Sequence, residues 1–371
     1  MPHPLDEYPI HQVPLSMRYV DASDRNVYDR CIMHTFTRDG EIEMLTGLGV
    51  YPNLGVIDAY TTVRRGDRQV ALRMSDALGD DRMTQQVGPL RIEVVEPLRR
   101  LHVVCDGDDH GIGFDLEWEA AFPAVEEPRH VSRAGDRVQL DACRFVQTGS
   151  WRGVLRVEGD ELGVSDPGWS GTRDRSWGIR PVGEPEPGGR LADEGGDRGF
   201  WWCWVPLRFD DFTIVVIVQE RPDGHRILSE AVRIWPESSG RSPEQLGWPE
   251  LDIAYRSGTR HPERAVIHLT ERGRKPLDVE VETLGFVSLN VGCGYGADPD
   301  WTHGVWKGRG WVDSSVYDLN DPAVTGRVPY SNIDHVARAT CDGAVGTGIF
   351  EHASIGRHDP SGFADFYAVA P

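Results

Sequence analysis

Short extended runs that double back through glycine turns constrain this chain more than any other feature. Ile32–Arg38 and Glu41–Val50 flank Asp39-Gly40, and Gly55–Arg64 and Arg68–Met74 flank Arg65-Gly66-Asp67. Leu90–Glu96 and Leu101–Asp106 are joined by a short proline-containing link, and Gly111–Ala121 follows Asp106-Gly107. Asp-Gly between β-prone runs is a hairpin signal, because the turn needs residues that tolerate positive φ. The second half repeats this pattern with Phe200–Phe209, Thr213–Gln219, the turn Arg221-Pro222-Asp223-Gly224, then Arg226–Trp235. Apolar residues spaced i, i+3, i+4, i+7 over several turns are scarce. The 42 Gly and 25 Pro therefore read as turns between strands, and 12 Trp, 11 Phe and 10 Tyr supply a core that a disordered chain lacks.

The runs also recur in order. In the first half, Gly55–Arg64, RRGDR, a strand and GPLRIEVVEPLRRLHVVCDG follow one another. In the second, Phe212–Gln219, RPDGHR, a strand and HPERAVIHLTERGRKPLDVEVETL do so about 155–165 residues later. The expectation is an all-β chain with two copies of one antiparallel unit. An extended arm (1–24) would precede an N-terminal β-domain (25–180), a linker loop (181–198) and a C-terminal β-domain (199–371). The linker is rich in Pro, Gly and acids, residues 236–249 form a further loop, and Pro2, Pro4, Pro9 and Pro14 keep the arm irregular. Curling such sheets into barrels removes exposed edges, and a barrel of about eight strands holds one small apolar ligand. A barrel interior, or the seam between two barrels, is the expected site.

Composition excludes several alternatives. With 39 Lys+Arg against 59 Asp+Glu the net charge is −20, which argues against nucleic acid and anionic membrane surfaces as partners. No apolar run approaches the roughly 20 residues of a bilayer span. The start, MPHPLDEYPI, has no basic region of a signal peptide, so a cytoplasmic location is expected. Six scattered cysteines without a C-x-x-C pair read as free thiols. No H-E-x-x-H points to a metal site, the glycines from Gly292 to Gly296 do not form a phosphate loop, and no G-x-S-x-G elbow is present. A homodimer through an exposed sheet edge is compatible with the sequence, though nothing demands it.

Eight of the 12 tryptophans fall in two windows, 169–204 and 301–311. One buried Trp is ordinary core, but two dense windows indicate an aromatic-lined cavity. In the first, Asp174 sits among Arg173, Arg175 and Arg180 beside Trp177. This is either a turn of surface ion pairs or an acid at a cavity mouth, because arginine lowers an Asp pKa whereas burial raises it. The second window carries His303, Trp306 and Lys307, which are either satisfied polar residues or functional ones. A third segment reads as a hairpin through Asp342-Gly343, with Asp334, Arg338, Glu351 and His352 facing a cavity or solvent.

The segments RDRSWGIRP, HGVWKG and DHVARATCDGAVGTGIFEH resemble those of lipocalin-like proteins related to carotenoid 1,2-hydratase (hydroxyneurosporene synthase) and the AttH-like group, in an uncharacterised bacterial branch. The resemblance spans roughly residues 25–370 and implies two tandem lipocalin-like antiparallel β-barrels packed side by side. It also implies a hydratase or cyclase acting on a hydrophobic isoprenoid, steroid or polyketide-like molecule. A non-catalytic carrier of an apolar ligand is the alternative, because fold does not fix function. Hydrating an alkene needs a proton donor, a stabilised cation and water, and no cofactor. A neutral carboxylic acid in an apolar cavity supplies the proton, and Trp faces stabilise the cation. The catalytic candidates are Asp174, His303 and Glu351. The ligand-binding candidates are Trp177, Arg180, Trp202, Trp204, Trp306 and Lys307.

Overall fold

The computed structural model describes residues 7–9, 19–134, 136–184, 199–327 and 331–371. Most of the expected arm and linker, residues 1–6, 10–18 and 185–198, lies outside them. The first half supplies β1 (Val27–Thr37), β2 (Ile42–Tyr51), β3 (Val56–Arg65), β4 (Arg68–Ala77), β5 (Gln85–Val87), β6 (Leu90–Glu96), β7 (Arg100–Cys105), β8 (Ile112–Ala120), β9 (Val125–Glu126), β10 (His130–Ala134), β11 (Arg137–Val157), β12 (Asp160–Val164) and β13 (Trp169–Ile179). The second supplies β14 (Gly199–Arg208), β15 (Thr213–Glu220), β16 (Arg226–Ile234), β17 (Glu244–Gln245), β18 (Trp248–Tyr255), β19 (Pro262–Thr270), β20 (Leu277–Ser288), β21 (Trp311–Asp318), β22 (Ser331–Cys341) and β23 (Ala344–Gly356).

These strands form two curled antiparallel sheets. One runs β21-β4-β3-β2-β1-β13-β11-β8-β7-β6-β5, with β9, β10 and β12 on β11; the other runs β17-β16-β15-β14-β23-β22-β20-β19-β18. Each begins with a strand that pairs with the last strand of its own unit, β1 with β13 and β14 with β23. The next strands add outward on one side and the middle strands on the other. The protein is thus a duplicated, all-β pair of lipocalin-like units, as the sequence leads one to expect. The strand correspondence differs by one hairpin from the sequence reading: by topology β15 matches β2, not β3. Successive hairpins of one meander look alike, so the slip costs nothing in pattern.

Burial follows from the packing of the two sheets. Peripheral β18 alternates: Leu251 and Ile253 pack on the core of the second unit while Glu250 and Asp252 are exposed. Central β15, TIVVIVQE, is buried at every position, because both faces are covered. One face lines its own unit's core, and the other meets the opposite unit in a cluster that includes Phe36, Val146, Trp202, Trp204, Val336 and Ile349. Each such side chain contributes about 1.5–3 kcal/mol by leaving water. The first unit's core also holds ion pairs, Arg173 with Glu7 at 2.7 Å and Arg175 with Asp29 at 2.8 Å.

After β20 the chain leaves the second sheet and caps the junction before β21 joins β4. Gln69 of β4 fastens this crossing, donating to Ser288 O and Val291 O at 2.9 Å and accepting from Ser288 N at 3.0 Å. Gly292, at φ +76, lies against Ala71 where a Cβ would collide. No disulfide joins any of the six cysteines; five are buried and Cys143 is half-buried. Among the described residues no helix is long and apolar enough to cross a membrane.

Candidate active site

Strand alternation decides which side chains reach the junction. On β1 these are Arg30, Ile32, His34 and Phe36, while Cys31 and Met33 enter the first unit's core. The registers Ile32↔Asp174 and His34↔Thr172 place Asp174 and Thr172 of β13 on the same face. Opposite them, the registers Trp204↔Glu351 and Asp334↔Glu351 bring β14, β23 and β22 together. Breaks within runs of burial mark where the sheets part: Ile32 on β1, Asp174 on β13 and Glu351 on β23, where Ile355 is a second one nearer the strand end. The Asp174 and Arg144 side chains each retain 14 % exposure, against 2 % for His34 and 3 % for Asp334 behind them. These partly exposed side chains lie at the seam between the units.

The polar groups around it form a connected set. Trp202 Nε1 donates to Glu351 Oε1 at 2.8 Å, and Trp204 Nε1 donates to Glu127 Oε1 at 2.6 Å. Arg144 donates to Glu127 Oε2 at 2.8 Å, lies 3.4 Å from Asp174 Oδ2 and stacks over Trp202 at 5.1 Å. His34 links Asp334 Oδ2 through Nε2 at 2.9 Å to Thr172 Oγ1 through Nδ1 at 3.0 Å. Asp174 Oδ1 and Asp334 Oδ1 are buried with no hydrogen-bond partner among the described residues.

Burial sets the protonation states. It lifts the Asp174 carboxyl to about 6, Arg144 opposing and Glu127 reinforcing the rise. It raises Glu351, with Asp334 beside it adding to the effect, and it raises Asp334 likewise. It also pushes His34 down to about 4, so this imidazole is neutral at pH 7. Next to this set lies a second cluster. Arg30 donates to Tyr295 Oη at 2.7 Å, and Asp58 accepts from Tyr51 Oη at 3.1 Å and Gly304 N at 2.6 Å. Among the described residues, no group of three His, Cys, Asp or Glu side chains is placed to hold a metal ion.

The residues singled out from sequence separate accordingly. Asp174, Glu351, Trp202 and Trp204 meet at the junction. Arg180 stacks over Tyr28 at 5.5 Å, and His303 packs in the cap against Tyr295 (5.0 Å), Trp301 (5.4 Å) and Tyr60 (5.5 Å). Burial holds His303 neutral, and its Nδ1 is 3.8 Å from Asp58, too far for a hydrogen bond. Trp177 pairs in register with Asp29, the Arg175 partner, so it lies on the face opposite Asp174. Trp306 is 51 % exposed, and Lys307 donates to Asp300 O at 2.7 Å on the cap's outer surface. Arg338 pairs with Glu282 outside, and His352 faces the second unit's interior. His34, Arg144, Glu127 and Thr172 were not singled out, and their residue types alone carry no signal for this placement.

A duplicated lipocalin-like fold with a buried carboxyl site between its units defines the class, and solved structures share the fold. A Nitrosomonas europaea protein described as AttH superposes with a TM-score of 0.55 at 12 % identity, over 90 % of this chain and 93 % of the other. Kievitone hydratase from Nectria haematococca does so with a TM-score of 0.51 at 12 % identity, over 93 % and 97 %. The chain itself belongs to a family of unknown function, DUF8625, whose model matches residues 3–364. No curated protein matches its sequence.

Proposed function

We propose that the junction between the two units is the active site of a hydratase, or of a cyclase using the same proton transfer, acting on a hydrophobic isoprenoid, steroid or polyketide-like molecule. The carrying observation is a pair of largely buried carboxyls, Asp174 and Glu351, at one seam beside the indoles of Trp202 and Trp204, with proton affinities raised to different extents. Such a divergence assigns acid and base on one site. The fold shared with kievitone hydratase supports the reading.

Glu351 is the acid. Trp202 occupies its Oε1, which leaves Oε2 to carry the proton. That proton passes to one alkene carbon as the π pair forms the new C–H bond. The other carbon becomes cationic, within reach of indole faces and carboxylates that stabilise it. Water adds there through oxygen and loses a proton to the Asp174 carboxylate. The proton later returns to Glu351, so the net change is addition of one water; the reverse sequence removes it. Asp334 and His34 hold Glu351's surroundings, with no net positive charge from the neutral imidazole.

The test is incubation of the purified protein with a panel of prenyl alcohols and prenylated phenols in heavy-oxygen water. Incorporation of one labelled oxygen is expected, and Glu351→Gln lowers it by about 10²–10⁴-fold while ligand still quenches tryptophan fluorescence. Quenching without incorporation in the wild type would establish a carrier and overturn the catalytic reading.

A further inference from the structure

The two units differ in what fills them. Inside the first, the space beside Arg173 and Arg175 amounts to about 10 Å³. At the mouth of the second, between β18 and the C-terminal segment, a groove of about 930 Å³ opens, with Trp201, Trp248 and Tyr255 on its walls. No part of the junction chemistry uses it. Glu220, His358 and Ser361 also line it.

Their geometry is ordered. Ser361 Oγ lies 2.8 Å from His358 Nδ1, and His358 Nε2 lies 3.0 Å from Glu220 Oε2. A turn closed by His358 N to Phe363 O (2.7 Å) and Phe363 N to His358 O (3.0 Å) carries Ser361 to the groove. Trp201 stacks on the His358 ring at 4.9 Å and 13°, which fixes its plane. Arg226 Nε donates to Glu220 Oε1 at 2.8 Å. Although burial opposes it, the bonds from His358 and Arg226 keep the Glu220 carboxyl below its usual range, so it is ionised and only accepts.

Partners then assign the protons. Ionised Glu220 requires Nε2–H on His358, which leaves Nδ1 as an acceptor for the Ser361 hydroxyl. The neighbouring Tyr255 Oη, 3.2 Å from Ser361 Oγ, is the more distant acceptor and already takes the Trp201 Nε1 hydrogen at 3.3 Å. His352 Nδ1 must donate to Trp202 O at 2.7 Å, so His352 Nε2 accepts from Tyr255 at 3.2 Å. The serine proton therefore points at an imidazole whose far side is held by a carboxylate, the arrangement that activates a nucleophile whatever the fold or chain order.

We propose that Ser361, His358 and Glu220 form a second, independent site in this protein that transfers acyl groups from aryl esters bound in the groove. Ser361 Oγ bonds to the ester carbonyl carbon as its proton moves to His358 Nδ1. The carbonyl–aryloxide bond breaks and the aryloxide leaves with that proton. Water then attacks the acyl-serine, releasing the carboxylic acid and restoring the hydroxyl. Ser361 and His358 are the catalytic residues, and Glu220 is a positioning residue. Activated esters suit the site because their leaving groups need little stabilisation of the tetrahedral oxyanion.

The test uses the full chain with p-nitrophenyl butyrate, together with a fluorophosphonate probe and peptide mapping. Hydrolysis above buffer and a single label on Ser361 are expected, with Ser361→Ala lowering the rate at least 100-fold at an unchanged melting temperature. Glu220→Gln lowers kcat with KM unchanged. An unlabelled Ser361, or Ser361→Ala hydrolysing at the wild-type rate, overturns the proposal.

Discussion

Replacing Asp174 by Asn tests which of two opposing forces controls the junction. Three arginines lie within six residues of Asp174 in sequence, yet Arg173 and Arg175 point into the first unit, where they pair with Glu7 and Asp29. The cation that reaches Asp174 is Arg144, at 3.4 Å, and it is shared with Glu127 at 2.8 Å. Burial therefore prevails and lifts the carboxyl from 3.8 to about 6. A rise of about two pH units corresponds to about 3 kcal/mol, and the low exposure of the side chain leaves little solvent screening. Below about pH 4 the carboxyl is protonated in both states and does not oppose folding. As pH rises from there the unfolded chain ionises first, and stability falls until the folded carboxyl ionises near 6. Asn has no such slope. The variant's stability relative to wild type thus rises by up to about 3 kcal/mol between pH 4 and pH 7, above a constant offset from the amide against Arg144. Urea unfolding of both proteins at several pH values in that window measures it, and the carboxylates away from the junction cancel in the difference. A difference that stays flat or falls with pH would refute the reasoning. Arg144 would then hold Asp174 ionised, and so weak a base could not take a proton from water.

Other consequences are simpler. Arg175→Met removes the 2.8 Å charge-assisted hydrogen bond to buried Asp29 and costs about 1.5–3 kcal/mol in urea unfolding, part of which Asp29→Leu in the same chain restores. Trp204→Phe removes the 2.6 Å donor to Glu127 Oε1 and costs about 1–3 kcal/mol, with the loss read at pH 7 by the same method. Gly348→Ala drives a Cβ into Pro206 O across the β14–β23 pair; a loss of about 1–3 kcal/mol is expected, and an unchanged midpoint would show that the strands can part there.

The turns were legible because their chemistry is local. Gly40, Gly66 and Gly224 adopt φ of 75°, 60° and 82°, as the hairpins between extended runs require. Long β11 was not singled out, because Gly149 and Gly153 interrupt its apolar pattern; Gly153, at φ 139°, lies against Asp115 O of β8 where a Cβ would collide. The start of β1 was also missed, because Asp29 and Arg30 look like loop residues until Arg175 and Tyr295 are seen to satisfy them. The 236–249 loop contains β17 and the start of β18, both too short or too polar to register. In the site, residue type pointed to Asp174, Glu351, Trp202 and Trp204. It could not supply His34, whose partner Asp334 is 300 positions away. Nor could type alone reveal that Trp177, three residues from Asp174 on one strand, faces the other way.

The proposed junction chemistry is a property of the pair of units. In a lipocalin-like unit standing alone, the outer face of β13 would meet water, and a solvated carboxyl there would titrate in the ordinary range. Docking the second unit removes that water and buries Asp174 beside Arg144, Glu351 and Asp334. It also covers both faces of the central strands, which explains why β1, β13, β14, β15 and β23 are apolar or paired on both sides while β18 alternates. The crossing of β21 onto β4 ties the second half to the first sheet, so the carboxyls from the two units are held in register by backbone hydrogen bonds as well as by side-chain packing. Duplication thus made a desolvated interface between two copies of one fold. It also freed the second unit's own mouth, unfilled by the ion pairs that close the first, to take on a separate task.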